Sequence, residues 1–310
     1  MVLLHAFAGI FSLLLVVAVG YGLAWLGWFP EPCRKLLPRL VTNVSLPPYL
    51  ACTIVSSFRR DSLLQLLSGS LVPLLALASL FAIAWFLGRA MRVSRRRFGL
   101  FCASISNPNT IFIGIPVNVA LFGQQALPFV LLYYFPSTFF FWTVGNYFIC
   151  RDESQSQPRA SAFAWQQIIS PPMYGFLIGL AIVCADLPVP DFIYQAARIT
   201  GEMTTPLALV FIGITLQGMD YAKVCINRDI SVALAGRMLL SPLLMWTLVS
   251  LFKLPRLMGD VFIIQSSLPV LMQVAILSAY YDTDPDYGSL MVCLSTILSI
   301  VTVPVYMALL

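Results

Sequence analysis

Residues 104–117 read SISNPNTIFIGIPV and place Asn107, Pro108 and Asn109 in the middle of a long apolar run. Proline has no backbone N–H and frees carbonyls one turn before it, so a helix breaks there. The half-helix that follows starts with unbonded N–H groups and a positive dipole end. Such an end attracts an anion. The side-chain amides of Asn107 and Asn109 add donors suited to a carboxylate, and Ser104, Ser106 and Thr110 add hydroxyls. A second break stands in QSSLPVLMQ, residues 265–273, where Gln265, Ser266 and Ser267 precede Pro269 and Gln273 follows it. The two breaks together form a candidate site for a small organic anion. Their oxygens also offer a candidate sodium site near Ser106, Asn107, Gln265 and Ser267.

Little else in the chain can do chemistry. Arg237 is the one basic residue inside an apolar run. It either contacts the carboxylate of a ligand or hydrogen-bonds freed carbonyls, such as those near Pro242. Every Asp and Glu lies in or beside an expected loop, so a buried carboxylate proton relay is not expected. The seven cysteines stand singly, without metal-ligand spacing, and read as small packing residues. His5 is the only histidine, which leaves no material for a catalytic triad or a histidine metal site. No enzyme is expected, and no cofactor other than a sodium ion.

The elements that hold these residues follow from composition. The chain has 310 residues, of which 59% are hydrophobic and 10% charged. Its mean hydropathy is +0.88. Soluble chains carry about 25% charged residues, so an all-α integral membrane protein is expected. The net charge of +5 is then a topology signal and does not suggest nucleic acid. Apolar stretches run over Ala6–Pro30, Leu40–Phe58, Ser62–Gly88, Phe98–Cys150, Ala160–Ala185, Met203–Met219, Ile230–Phe252, Val261–Tyr281 and Tyr287–Leu310. The stretch Phe98–Cys150 is long enough for two crossings, divided at FGQQALP, which gives ten spans. The first reads as a retained span and not as a signal peptide. Odd-numbered loops carry 12 Lys and Arg residues and even-numbered loops carry 5. The positive-inside rule then puts both termini outside, in what reads as a bacterial inner membrane.

The halves of the chain resemble each other. Pro47 and Pro206 are 159 residues apart, and Pro108 and Pro269 are 161 apart. Five spans per half force the second half to insert upside down, the pattern of inverted-repeat transporters. The repeats are expected over residues 1–150 and 167–310, joined by a short cytoplasmic linker over 151–166. Pro108 lies 11 residues beyond Arg97, and Pro269 lies 9 beyond Asp260. At 1.5 Å per residue both breaks fall about 15 Å deep, near the middle of a core about 30 Å thick.

SNPNTIFIGIPV resembles the fourth helix of the auxin efflux carrier family, and TTPLALVFIGITL, residues 204–216, resembles its seventh. The family's fold is similar to that of bile acid–sodium symporters. The resemblance implies a scaffold of spans one, two, six and seven that forms a homodimer. Spans three to five and eight to ten would form a transport domain, with broken spans four and nine crossing in it and an elevator-type motion. By motif position, Asn107, Pro108 and Asn109 carry the first crossing and Pro269 the second. The midpoint loop is short, span three has no acid, and Leu268 precedes the second proline where an asparagine precedes the first. These differences point away from auxin itself. The expected function is export of a small organic anion. Sodium-coupled symport and a membrane sensor without flux remain as alternatives.

Overall fold

An apolar chain in lipid must satisfy its own backbone, and a helix does so within one segment. The computed structural model describes residues 2–30, 36–57, 69–151, 171–218, 227–281 and 283–310, and every regular element among these is a helix. In chain order they are α1 (Val2–Trp25), α2 (residues 36–57), α3 (Leu71–Ala90), α4 (Arg95–Ser106), α5 (Gly114–Phe122) and α6 (Gln124–Arg151). There follow α7 (Pro171–Ala185), α8 (Asp191–Glu202), α9 (Thr204–Gln217), α10 (Arg228–Phe252), α11 (Arg256–Ser267), α12 (Gln273–Tyr280) and α13 (Pro285–Leu309). Among the described residues, α3, α6, α10 and α13 are long and apolar enough to cross a membrane. Residues 14–25 and 174–185 form shorter apolar helices. Apart from Arg151, the linker expected over 151–166 lies outside the described residues.

Among the described residues, three helices contain a π turn, at Val41–Ser45, Phe141–Gly145 and Gly236–Leu240. A π turn inserts one residue and leaves backbone groups to be served from elsewhere. The third is followed by Pro242, whose missing N–H frees the Met238 carbonyl. The Tyr306 hydroxyl of α13 donates to that carbonyl at 2.8 Å. The helix α8 was not expected: the stretch between the sixth and seventh spans reads as a loop from its charges. Asp191 in its first turn and an Arg198–Glu202 pair at 2.8 Å, one turn apart, support it.

The chain divides into two compact units. The first holds the described residues of Met1–Ser68, Ile115–Pro128 and Ile169–Met219. Here helices pack backbone against backbone through glycine, as small residues allow in membranes. A Cβ on Gly213 would lie 2.1 Å from the Val17 carbonyl oxygen, and one on Gly175 would lie 2.1 Å from that of Pro47. Buried Ser45 and Thr204 are hydrogen-bonded at 3.1 Å, each two residues before a proline.

The second unit holds the described residues of Gly69–Gly114, Phe129–Ile168 and Asp220–Leu310. Its core joins Leu77 and Leu80 of α3, Phe101 of α4, Phe141 of α6 and Met291 of α13. At one end, Arg97 pairs with Asp284 at 2.5 Å. Asp284 also caps α13, accepting from the Tyr287 N–H at 3.0 Å. The second unit contains both proline breaks.

Candidate functional site

The residue before a proline cannot easily stay helical, because the ring crowds its backbone. Asn107 accordingly turns to φ −102° and ψ 111°, which ends α4 at Ser106. Leu268 turns to φ −68° and ψ 157°, which ends α11 at Ser267. Both helices are 12 residues long, so each reaches about 18 Å before it breaks.

The two extended segments meet. Pro108 and Val270 form an isolated antiparallel bridge. The Asn109 N–H donates to the Pro269 carbonyl at 2.8 Å, and the Leu271 N–H donates to the Asn107 carbonyl at 3.0 Å. Each broken helix therefore supplies the other with one donor and one acceptor. The Val270 N–H goes to Ser295 Oγ of α13 at 3.0 Å. The expectation that free backbone N–H groups face the centre is thus corrected for these three, which are consumed in holding the crossing together.

The asparagines also serve the breaks. Asn107 Oδ1 accepts from Ser106 Oγ at 2.8 Å, and its amide nitrogen lies 3.5 Å from the Ser137 carbonyl of α6. Asn109 Oδ1 accepts from the Phe112 N–H at 3.3 Å, and its carbonyl accepts from the Gly114 N–H at 3.1 Å. It closes the turn that leads into α5. Ser266 and Ser267 turn their hydroxyls back to carbonyls three residues earlier, and Ser106 Oγ shares its one proton between Asn107 Oδ1 and the Cys102 carbonyl at 2.9 Å. Pro108, Thr110 and Pro269 are buried at the crossing, while Gln273 opens α12 half-buried.

Arg237 is fully buried in the π turn of α10. Its Nη1 donates to the Ile105 carbonyl at 3.0 Å. Its Nη2 donates to the Ser266 carbonyl and, at 2.5 Å, to Ser241 Oγ. Ser241 Oγ donates to the same Ser266 carbonyl at 2.9 Å. One planar cation thus bridges the last turns of α4 and α11, where the negative dipole ends gather. Of the two roles open to Arg237, the carbonyl role is the one these contacts describe. Its acceptors lie at the breaks before Pro108 and Pro269, not near Pro242, whose freed carbonyl goes to Tyr306.

Among the described residues, several polar atoms remain without a partner. Gln265 is fully buried, yet neither its amide oxygen nor its amide nitrogen makes a hydrogen bond. Ser104 Oγ, Gln273 Oε1 and Arg237 Nε are also buried and unpartnered. Buried polar groups are nearly always satisfied, so an orphaned amide points to a partner from outside the chain. Gly114 leaves room for it: a Cβ there would lie 2.6 Å from Gln265 Oε1. The structure brings the sequence candidates together around one crossing and adds Gly114, Ser241, Ser295 and the buried Tyr133, whose hydroxyl lies beside the Arg237 guanidinium. The serines, Pro242 and GIP at 114–116 were visible in the sequence, but nothing there fixed their contacts.

A family model described as membrane transport protein matches residues 5–307. An uncharacterized transporter of Methanothermobacter thermautotrophicus is 27% identical over 308 residues, covering 96% of each chain. Another uncharacterized transporter, of Methanocaldococcus jannaschii, is 23% identical over 275 residues, covering 87% of this chain and 88% of its own.

Proposed function

Since this chain belongs to the membrane transport protein family, that of the auxin efflux carriers, we propose that it is a secondary transporter of a small organic anion. It is an integral membrane protein of transporter kinship. In this reading ten spans form two inverted repeats, with both termini outside a bacterial inner membrane. The first compact unit is the scaffold, through which a homodimer forms. The second unit carries the substrate by an elevator-type motion.

One observation carries the reading. Two proline-broken helices of equal length meet end to end in an antiparallel crossing, with an unpartnered glutamine amide buried beside it. Broken helices are tolerated in lipid where they line a site, and paired breaks mark the substrate site of inverted-repeat carriers. The donors offered to an anion are side chains: the amides of Gln265, Asn107 and Asn109 and the hydroxyl of Ser104. An interior-negative potential drives an anion outward by about 2.3 kcal/mol per charge per 100 mV, which makes export the simpler direction.

A second reading is favoured by Gln265 Oε1, a fully buried oxygen without a donor. With Ser106, Asn107 and Ser267 it could hold a sodium ion and couple the carrier to a sodium gradient. A thermal-shift screen of the purified protein against aliphatic and aromatic carboxylates, with and without sodium, tests both. Flux of the best ligand in proteoliposomes then separates a carrier from a sensor. A ligand that binds but never crosses would overturn the transport reading.

A further inference from the structure

A concave site lies in the same unit as the crossing, at the end where α3 turns into α4. It is a cleft of about 360 Å³ lined by Arg89, Arg92, Arg95 and Arg151. Among the described residues none of these four forms an ion pair. Arg97, next in the chain to the lining residue Phe98, is instead neutralised by Asp284. Four cations around one hollow repel one another unless an anion joins them.

The local structure holds them there. Trp85 and Arg89 share a face of α3, and the guanidinium carbon lies 4.8 Å from the indole centroid. Stacking on the ring leaves the edge of the guanidinium free to donate. The chain reverses after α3 with Arg92 at φ +55°, a left-handed conformation that a non-glycine residue rarely adopts. Such outliers concentrate at functional sites. Gly88 leaves space for the floor of the cleft, since a Cβ there would lie 2.9 Å from the Phe98 ring. Phe98 and Phe148 make one wall apolar. Arg95 and its two arginine neighbours occupy the first turn of α4, the end of a helix where cations are disfavoured.

We propose that this cleft binds the phosphate of an anionic phospholipid headgroup. Arginine forks match phosphate oxygens in pairs, which explains the use of four arginines and no lysine. The apolar surface of α3 beside the cleft explains a lipid source. Leu71, Leu75 and Phe86 are exposed along that helix, so an acyl chain can follow it from the headgroup. On the proposed orientation this end faces the cytoplasm. The site is independent of the crossing and does not require that the carried substrate be known.

The test uses the full chain in neutral detergent at low salt, read by thermal melting. Dioctanoyl phosphatidylglycerol should raise the melting temperature saturably, and dioctanoyl phosphatidylcholine should not. Substituting Arg89→Gln together with Arg92→Gln should weaken half-saturation roughly twenty-five-fold, about fivefold per arginine. Arg95→Gln and Arg151→Gln, tested singly, should each weaken it about fivefold and keep the test valid if the double variant does not fold. Lys253→Gln, outside the cleft, should leave it unchanged. Equal stabilisation by both lipids, or unchanged half-saturation in the arginine variants, overturns the proposal. Inorganic phosphate saturating at the same concentration as the lipid overturns the lipid source and assigns the site to a soluble phosphate.

Discussion

Pro108 and Val270 face each other as an antiparallel bridge in a protein whose regular elements, among the described residues, are all helices. Neither residue was placed there by local preference alone. Each lies just past a helix that proline stopped, and the two stopped chains complete one another's hydrogen bonding.

The orphaned amide of Gln265 separates function from stability. Two unsatisfied buried polar atoms cost about 1–3 kcal/mol each. Gln265→Met fills the same space without them. The variant should melt at a higher temperature and lose ligand binding, measured by thermal shift with and without the carboxylate that the screen selects. Unchanged affinity would remove Gln265 from the site.

Asn109 has two tasks that different substitutions divide. Asn109→Ala removes the side-chain bond to the Phe112 N–H in the turn before α5 and should destabilise the protein by about 1 kcal/mol. Asn109→Asp keeps an oxygen acceptor for the Phe112 N–H and replaces the amide donor by a negative charge. It should stay folded, by denaturant titration, yet bind no anion in the same thermal-shift assay. Asn107→Ala should also abolish binding.

Arg237 should behave as a structural cation. Arg237→Met leaves the last turns of α4 and α11 without their shared donor and should cost about 3 kcal/mol or more. Arg237→Lys offers a point charge in place of a fork and cannot reproduce the bridge. Its melting temperature should fall, while the folded protein keeps its ligand affinity. A lysine variant with normal stability and no binding would assign Arg237 to the ligand instead.

Asp284→Ala removes both a helix cap and a half-buried ion pair with Arg97. The expected loss is about 1–2 kcal/mol, seen as a lower unfolding midpoint without a change in ligand affinity. Arg97→Gln should reproduce only the ion-pair part.

How far the sequence could be read depends on the range of each interaction. The two breaks were legible because proline acts on its own backbone and on the residue before it. Burial of Asn107, Asn109, Ser104 and Gln265 was legible because no charge stood near them. The partners of Arg237 were not, since Ile105 and Ser266 lie 132 and 29 residues away. The hydrogen bonds from Leu271 to Asn107 and from Asn109 to Pro269 depend on the same kind of distant meeting. α8 was missed because Asp191, Arg198 and Glu202 resemble a loop when counted as charges, although Arg198 and Glu202 are spaced for a helix surface.

The crossing is built from two strands that run in opposite directions and donate once each. In the proposed carrier, a guest held beside it would meet much the same backbone whichever face of the lipid it came from. A site of that kind has no forward or reverse of its own, so gradients must choose between uptake and expulsion.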